Sequence, residues 1–257
     1  MAQQKFTLSS YDPVYVYSPE IEIPEETIRG EMIDSLRRHH CKDGEEPRLT
    51  DAWINAHTDD FETVEQYRIV VRYHLYKEAQ RFQRFQDEDA VCAELASRIV
   101  EEIPQEIIDE AGYASQMRFE QYLRENDIPK PLYCEQHGMT EEELDRKILD
   151  DAIQSYKEDA ALGAWAEHEG LRLEGDDIYR CIPGDSMEEK MQLRQRIEQN
   201  GGMAGLEDYA LKVKAQDIIM KNAWVKRTEH SEYVRFSDVH SEVAEAIQNN
   251  PDIYMKY

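Results

Sequence analysis

The sequence predicts an all-α, elongated fold of several long helices with one or two short strands. Apolar residues recur at spacings of three and four over about 63–102 and again over about 140–169, the period of an amphipathic helix. Only 40% of the 257 residues are hydrophobic and the mean hydropathy is −0.78, which suits an extended body with much surface per residue. An alternating pattern typical of a short strand occurs over 14–23.

The helix over 140–169 has clear signals at both ends. Thr140 followed by Glu143 is a capping box, and Gly170 supplies a left-handed stop. The predicted length is about 29 residues, or about 44 Å at 1.5 Å per residue. One face of this helix repeats at helical spacing and is predicted to be core: Leu144, Ile148, Ala152, Tyr156, Ala160 and Gly163.

A second long helix is predicted from Thr63, with Gln66 as its capping partner, to Glu102, before the break at Pro104. A further break is expected near 86–89. The apolar stripe is broad and interrupted, which favours a helix packed along its length over an isolated coiled-coil dimer. Its members are Tyr67, Val71, Leu75, Phe82, Phe85, Cys92, Ala96, Ile99 and Ile103.

The remaining elements follow from local signals. Residues 1–12 are polar without periodicity and predict a loose tail. A helix is predicted from Pro24 to near Cys41, and residues 42–47 form a turn-rich link. Further helices are expected after Pro104, ending near 128–131, and from the acidic residues at 174–177. Gly201-Gly202 precedes a return helix through 206–224 that should pack antiparallel on the helix over 140–169.

Charge and cysteine content exclude several classes of function. The 55 acidic and 30 basic residues give a formal net charge of −25, which repels phosphate backbones and anionic membranes, so neither nucleic acid nor membrane is an expected partner. No apolar run approaches the ~18 residues of a membrane span. The four cysteines are widely spaced and no leader opens the chain, which predicts reduced thiols and a cytoplasmic location.

No pattern of catalytic residues is present. The sequences 39–41 (His-His-Cys) and 134–137 (Cys-x-x-His) contain metal-ligand residue types, but neither supplies the four ligands of a zinc site. Acidic pairs are frequent because the chain is acidic, and no GxSxG, GxxxxGK[ST], GxGxxG or HExxH pattern occurs. We therefore expect no enzymatic activity, no metal and no cofactor.

Three stretches, in their order along the chain, resemble the C-terminal chaperone domain of bacterial trigger factors. The central stretch has Met-Thr-Glu-Glu-Glu-Leu at 139–144, then a long helix, then Glu-Gly-Leu-Arg-Leu at 169–173 and Asp-Asp-Ile at 176–178. Residues 51–65, from Asp-Ala-Trp to Asp-Phe-Glu-Thr-Val-Glu, resemble the family's entry into a long helix. Residues 223–229 and 234–239 are similar to its terminal strand and last Phe-containing turn.

The resemblance implies one chaperone domain over residues 13–257, a multi-helical body with two helical arms as in SurA-like chaperones. Arm one would span about 104–137 and arm two about 174–203. The family's prolyl-isomerase domain would be replaced by the short link at 42–47, and no counterpart of its ribosome-docking loop is present, so ribosome docking by that route is not supported.

The function that the resemblance implies is that of an ATP-independent holdase, which binds unfolded or nascent polypeptides between its arms. Two alternatives remain open: a non-enzymatic assembly or regulatory module for one native partner, and a residual prolyl isomerase. A homodimer is also open. Adaptable apolar residues on the open faces of the arms are the candidate client-binding residues. They are Met117, Tyr122, Leu132, Tyr133, Met187, Met191 and Leu193.

Overall fold

The computed structural model describes residues 5–42 and 45–238, and these contain nine α-helices and three short β-strands. The predicted all-α class is confirmed. Residues 1–4, 43–44 of the predicted link, and 239–257 lie outside the described part. The elements are β1 (Tyr15–Tyr17), α1 (Glu25–His39), α2 (Asp51–His57), α3 (Val64–Ser97), α4 (Gln105–Glu125), α5 (Lys130–His137), α6 (Glu141–His168), α7 (Asp177–Arg180), α8 (Met187–Gln199), α9 (Met203–Asn222), β2 (Trp224–Lys226) and β3 (Val234–Arg235).

Contacts divide the chain into two compact units. Of the described residues, the first unit comprises 5–15 and 90–223, and the second comprises 16–42, 45–89 and 224–238. Helix α3 contributes residues to both. The assignment of 13–257 to one chaperone domain remains a prediction.

The second unit has a core of large apolar side chains from α1, α2 and the first turns of α3. Helix α1 has acidic residues in its first turn and basic residues in its last, as its dipole favours. Thr50 caps α2 by accepting from the Trp53 amide, and Asp51 accepts from the Val64 amide at 2.8 Å, which joins the start of α3 to α2. The buried core residues are Ile28, Met32, Leu36, Trp53, Ile54, Phe61, Tyr67 and Val71.

In the middle of α3 the inward face is polar, which overturns part of the predicted stripe. Phe82 and Phe85 are 65% and 63% exposed, whereas Gln83 and Asp87 are buried. The Asp87 carboxylate accepts two hydrogen bonds from the Arg227 guanidinium, at 2.5 and 2.8 Å. A buried carboxylate requires such partners, so α3 is oriented by this ion pair and its two phenylalanines face outward.

The prediction of a break near 86–89 was wrong, since α3 continues to Ser97. Asp87 is held within the helix by its ion pair, and the Gln83 amide, one turn earlier, donates to it at 3.1 Å. The helix ends before Glu102, because residues 98–100 leave helical geometry and Ile99 forms a β-bridge instead. In the second unit, β2 pairs antiparallel with β3. The order of the three strands is β1-β2-β3.

In the first unit, α6 has the predicted ends. Thr140 accepts from the Glu143 amide and the Glu143 carboxylate accepts from the Thr140 amide, so both halves of the capping box are present. Gly170 has φ 61°, and the Leu171 amide donates to the Ala166 carbonyl, as in a Schellman-type end. Most of the buried positions along α6 and α9 are alanines, with Leu144, Ile219 and Met220 as the large exceptions. The alanines are Ala152, Ala161, Ala164, Ala166, Ala210 and Ala215.

The expected loose tail is, from Lys5 onward, attached to the first unit; we call residues 5–13 the N-terminal segment. Leu8 is buried and bridges Ile99, and Thr7 donates to Glu101 through both its amide and its hydroxyl. The prediction of a tail rested on polar composition alone. The bridge to Ile99 and the bond from the Thr7 amide use backbone groups, and the sequence does not specify the partners of backbone groups. Within the described residues, no helix is long and apolar enough to cross a membrane.

Candidate polypeptide-binding surface

Helices α4 and α5 form a hairpin in the region expected as arm one, and α4 also packs against α6. Its identity as an arm remains a prediction. The chain turns at Asp127, which has φ 54°, and Pro129 precedes α5. Inside the hairpin, the Phe119 ring meets the Tyr133 ring edge-on at 5.1 Å. Leu123, Cys134 and Leu144 are buried. This hairpin therefore has an apolar interior of its own.

The four candidate residues on this hairpin differ in exposure. Tyr122 and Leu132 are 48% and 44% exposed, whereas Met117 and Tyr133 are half-buried. Tyr133 packs on Phe119 and stacks on His137, so it serves the hairpin interior at least as much as its surface. Sequence reasoning did not select Tyr113, which is 70% exposed and lies one turn before Met117 on α4.

The region expected as arm two is less helical than predicted. Helix α7 covers only Asp177–Arg180, and α8 begins at Met187. Between them, Pro183 cannot donate a helical hydrogen bond and Gly184 has φ 144°. Ser186 and Glu189 then form a capping box, which starts α8. The spacing of apolar residues, which continues across this point, did not indicate a new helix start.

Helix α8 presents both of its methionines to solvent. Met187 and Met191, one turn apart, are 52% and 50% exposed, and Leu193 is half-buried. No residue of α8 is fully buried. Lys190 donates to the Tyr179 carbonyl at 3.1 Å, which ties α8 to α7. The candidate residues thus lie on two separate hairpins, with Tyr122 and Leu132 on one and Met187 and Met191 on the other.

Ion pairs join α9 to its neighbours. The Lys212 ammonium donates to Asp159 and to Asp208, each at 2.6 Å. Burial is the largest single effect on Lys212 and lowers its pKa, but the hydrogen bonds and charges of the two carboxylates together outweigh it, so the pKa is raised. Lys212 is therefore a cation held between α6 and α9.

A second pair involves the short helix α7. Lys214 donates to Asp177 at 2.8 Å and to the Arg172 carbonyl at 2.9 Å. The hydrogen bond from Lys214, and then the one from the Glu174 amide, lower the pKa of Asp177. Arg180 also donates to Asp217 of α9 at 2.9 Å. Helix α7, too short to be stable alone, is anchored by these bonds.

A cleft of about 610 Å³ lies between α6, the turn after it, α9 and the N-terminal segment. Tyr156, predicted to be core, is half-buried and lines it, and burial is the main reason that the Tyr156 pKa is raised. The apolar lining comprises Phe6, Tyr156, Ala160, Gly163, Leu171 and Leu211. Sequence reasoning missed this cleft because Phe6 belonged to the supposed tail.

In each of the two short sequences that contain metal-ligand residue types, 39–41 and 134–137, one histidine lies near a backbone carbonyl. The His137 Nδ1 atom lies 2.8 Å from the Tyr133 carbonyl, and the His40 Nδ1 atom lies 3.2 Å from the His57 carbonyl. In the part of the chain that the structure describes, no three His, Cys, Asp or Glu side chains come together as metal ligands would.

Comparison with known proteins gives one consistent family. The family profile described as "Bacterial trigger factor protein (TF) C-terminus" matches residues 63–221. The trigger factor of Streptococcus agalactiae is 27% identical over 197 residues, covering 73% of this chain and 44% of that protein. The trigger factor of Halalkalibacterium halodurans is 21% identical over 214 residues, covering 79% and 49%.

The trigger factor of Limosilactobacillus fermentum is 23% identical over 170 residues, covering 66% of this chain and 39% of that protein. The chain thus spans less than half the length of these curated relatives. The matched part includes α4 to α9, which carry all the candidate residues. The chain belongs to the bacterial trigger factor family and matches the C-terminal domain of that family.

Proposed function

We propose that this chain is an ATP-independent holdase-type chaperone, acting in the cytoplasm, that binds unfolded or partly folded polypeptides on the apolar surfaces of its helical hairpins. The observation that carries the proposal is the exposure of large apolar side chains on two helical hairpins, the first of which already has a filled apolar interior. Tyr122 and Leu132 on the first hairpin and Met187 and Met191 on the second are each between 44% and 52% exposed.

The energetics of such a surface fit reversible binding. Burying one large apolar side chain contributes about 1.5–3 kcal/mol before the entropic cost of ordering the client. A few such contacts together give a dissociation constant in the micromolar range, which corresponds to a binding free energy of about −8 kcal/mol. Methionine side chains are flexible and fit varied partners, which suits clients without a common sequence. The mechanism is binding alone, with no chemical step.

An aggregation assay tests the proposal. We expect the full chain to suppress aggregation of several unrelated denatured proteins at substoichiometric ratio and without ATP. The contradictory result is no protection of any of them together with tight capture of one native protein, which would indicate an assembly module. A proline peptide added under the same conditions should show no acceleration of cis/trans exchange.

The net negative charge leads to a second, separate expectation about which clients associate fastest. With a net charge of −25, the chain should attract basic unfolded clients at long range. The Debye length falls from about 10 Å at 0.1 M salt to about 3 Å at 1 M, so on-rates for a basic client should fall over that range. An acidic client of equal length is the control, and equal on-rates for both would rule out charge selection.

A further inference from the structure

The N-terminal segment is held to the first unit largely through its backbone. The Ser9 amide donates to the Arg98 carbonyl at 2.7 Å, and the Val100 amide donates to the Thr7 carbonyl at 3.0 Å. The Arg98 guanidinium donates in turn to the Asp12 carbonyl at 2.7 Å. The two backbone bonds form a single antiparallel bridge, and strand addition, a mode of peptide binding in which backbone groups give affinity whatever the sequence, uses bonds of the same pattern.

Two aromatic side chains of the segment contact α6. The Phe6 ring meets the Tyr156 ring edge-on at 6.0 Å and forms part of the wall of the cleft. The Tyr11 ring stacks on the His168 ring at a centroid distance of 3.6 Å. Phe6 is only half-buried, so part of its ring still faces the open cleft.

We propose that this cleft is a binding subsite for extended polypeptide segments that carry an aromatic residue, and that the N-terminal segment is an internal ligand which competes for it. The inference rests on the proposed function and names one place where clients bind. It follows from the manner of attachment: the segment binds as an unfolded client would, through backbone bonds, inserted rings and only one buried aliphatic side chain, that of Leu8.

The charges around the cleft define the ligand further. Apart from Lys5, which belongs to the segment, the walls carry the carboxylates of Asp159, Glu167 and Asp208 against the cations of Arg172 and Lys212. Lys212 is paired with two of these carboxylates, and Glu167 pairs with Lys5. The third carboxylate is therefore available to a client cation when the segment leaves. The preferred ligand has a basic residue beside its aromatic one, as Lys5 stands beside Phe6.

An engineered disulfide that can be reduced tests, in the full chain, whether the N-terminal segment competes with a peptide for the cleft. Leu8 and Ile99 form an antiparallel pair whose backbone bonds lie on either side of it, and the Cα atoms of such pairs are about 4.5 Å apart, within reach of a disulfide. The variant Leu8→Cys/Ile99→Cys would fix the segment when oxidised and release it when reduced. The probe is a fluorescent peptide with the sequence of residues 5–13, and its binding is followed by anisotropy.

We expect the oxidised variant to bind the probe about tenfold or more weakly than the reduced variant, because the competing segment can no longer open. Wild type under the same two redox conditions is the control for Cys41 and Cys181, which are partly exposed. Equal probe affinity in the oxidised and reduced variant would overturn the inference, as would failure of the probe to bind either form.

An opened variant gives the opposite expectation. Phe6→Ala/Tyr11→Ala should bind the probe about tenfold more tightly than wild type, whereas Phe85→Ala, an exposed aromatic of the second unit, should leave the affinity unchanged. Unchanged affinity in the double variant contradicts the proposal. If probe binding responds to the disulfide but wild type suppresses no aggregation, the subsite stands and the holdase function fails.

Discussion

The helices α6 and α9 of the first unit bury smaller side chains than the helical core of the second unit. In the second unit, α1, α2 and the start of α3 bury large residues such as Met32, Leu36 and Trp53. In the first unit, the most buried positions of α6 and α9 are mainly alanines. Small residues let helix backbones approach closely without large side chains between them.

Large apolar side chains also lie on the outer faces of the first unit. The exposed large apolar residues described in this unit are Tyr15, Val100, Tyr113, Tyr122, Leu132, Leu149, Met187, Met191 and Tyr209. Tyr209, which was predicted to pack on α6, is 55% exposed.

The largest stability effect should come from the large-residue core. Leu36 is fully buried, so Leu36→Ala should lower the free energy of unfolding by about 2–5 kcal/mol through lost burial and a cavity. The exposed Leu132→Ala, the same chemical change on α5, should cost no more than about 0.5 kcal/mol. Urea denaturation followed by circular dichroism measures both. Equal losses would remove the distinction between core and surface leucines.

Replacing a buried alanine of α6 by a larger residue tests whether this helix is closely packed. Ala161 is fully buried on α6, so Ala161→Leu should lower the free energy of unfolding by about 1–3 kcal/mol by overpacking. Ala114→Leu on the exposed side of α4 is the matched control and should be nearly neutral. If both variants are equally stable in thermal denaturation, α6 is not closely packed at this position.

Acid should weaken the anchoring of α7 in particular. The folded-state pKa of Asp177 is lowered from its usual value of 3.8, so its contribution to stability is present above that pH and is lost as pH falls through the lower folded-state value. Asp177→Asn should remove this part of the acid sensitivity. Hydrogen exchange of 177–180 in both proteins, from pH 5 down to 2.5, measures it. An identical pH profile in the two would contradict this assignment.

The sequence predicted best those features that depend on neighbouring residues. The capping boxes at Thr140 and Thr63, and the stop at Gly170, are local signals and appear as expected. The ends of α1 follow in the same way from Pro24 and its charged turns. Each of these requires only bonds within a few positions along the chain.

The errors arose where distant residues decide the outcome. The middle of α3 turns Gln83 and Asp87 inward because Arg227, 140 positions from Asp87, supplies the partner for the carboxylate. Apolar periodicity counted Phe82 and Phe85 as core because it takes no account of that ion pair. The N-terminal segment was likewise taken as a tail because its attachment to 98–101 uses backbone groups. The exposure of Met187 and Met191 agrees with the candidate surface, but their binding role remains a prediction.

The most direct test of the open-hairpin account is the double variant Met187→Ala/Met191→Ala, measured for two properties at once. Both side chains are about half exposed, so we expect the melting temperature to stay within about 2 °C of wild type, while retention of a denatured client weakens by about tenfold. Leu193→Ala, a half-buried neighbour on α8, serves as the comparison. A melting temperature that falls as for a core substitution, or client retention equal to wild type, would contradict the account.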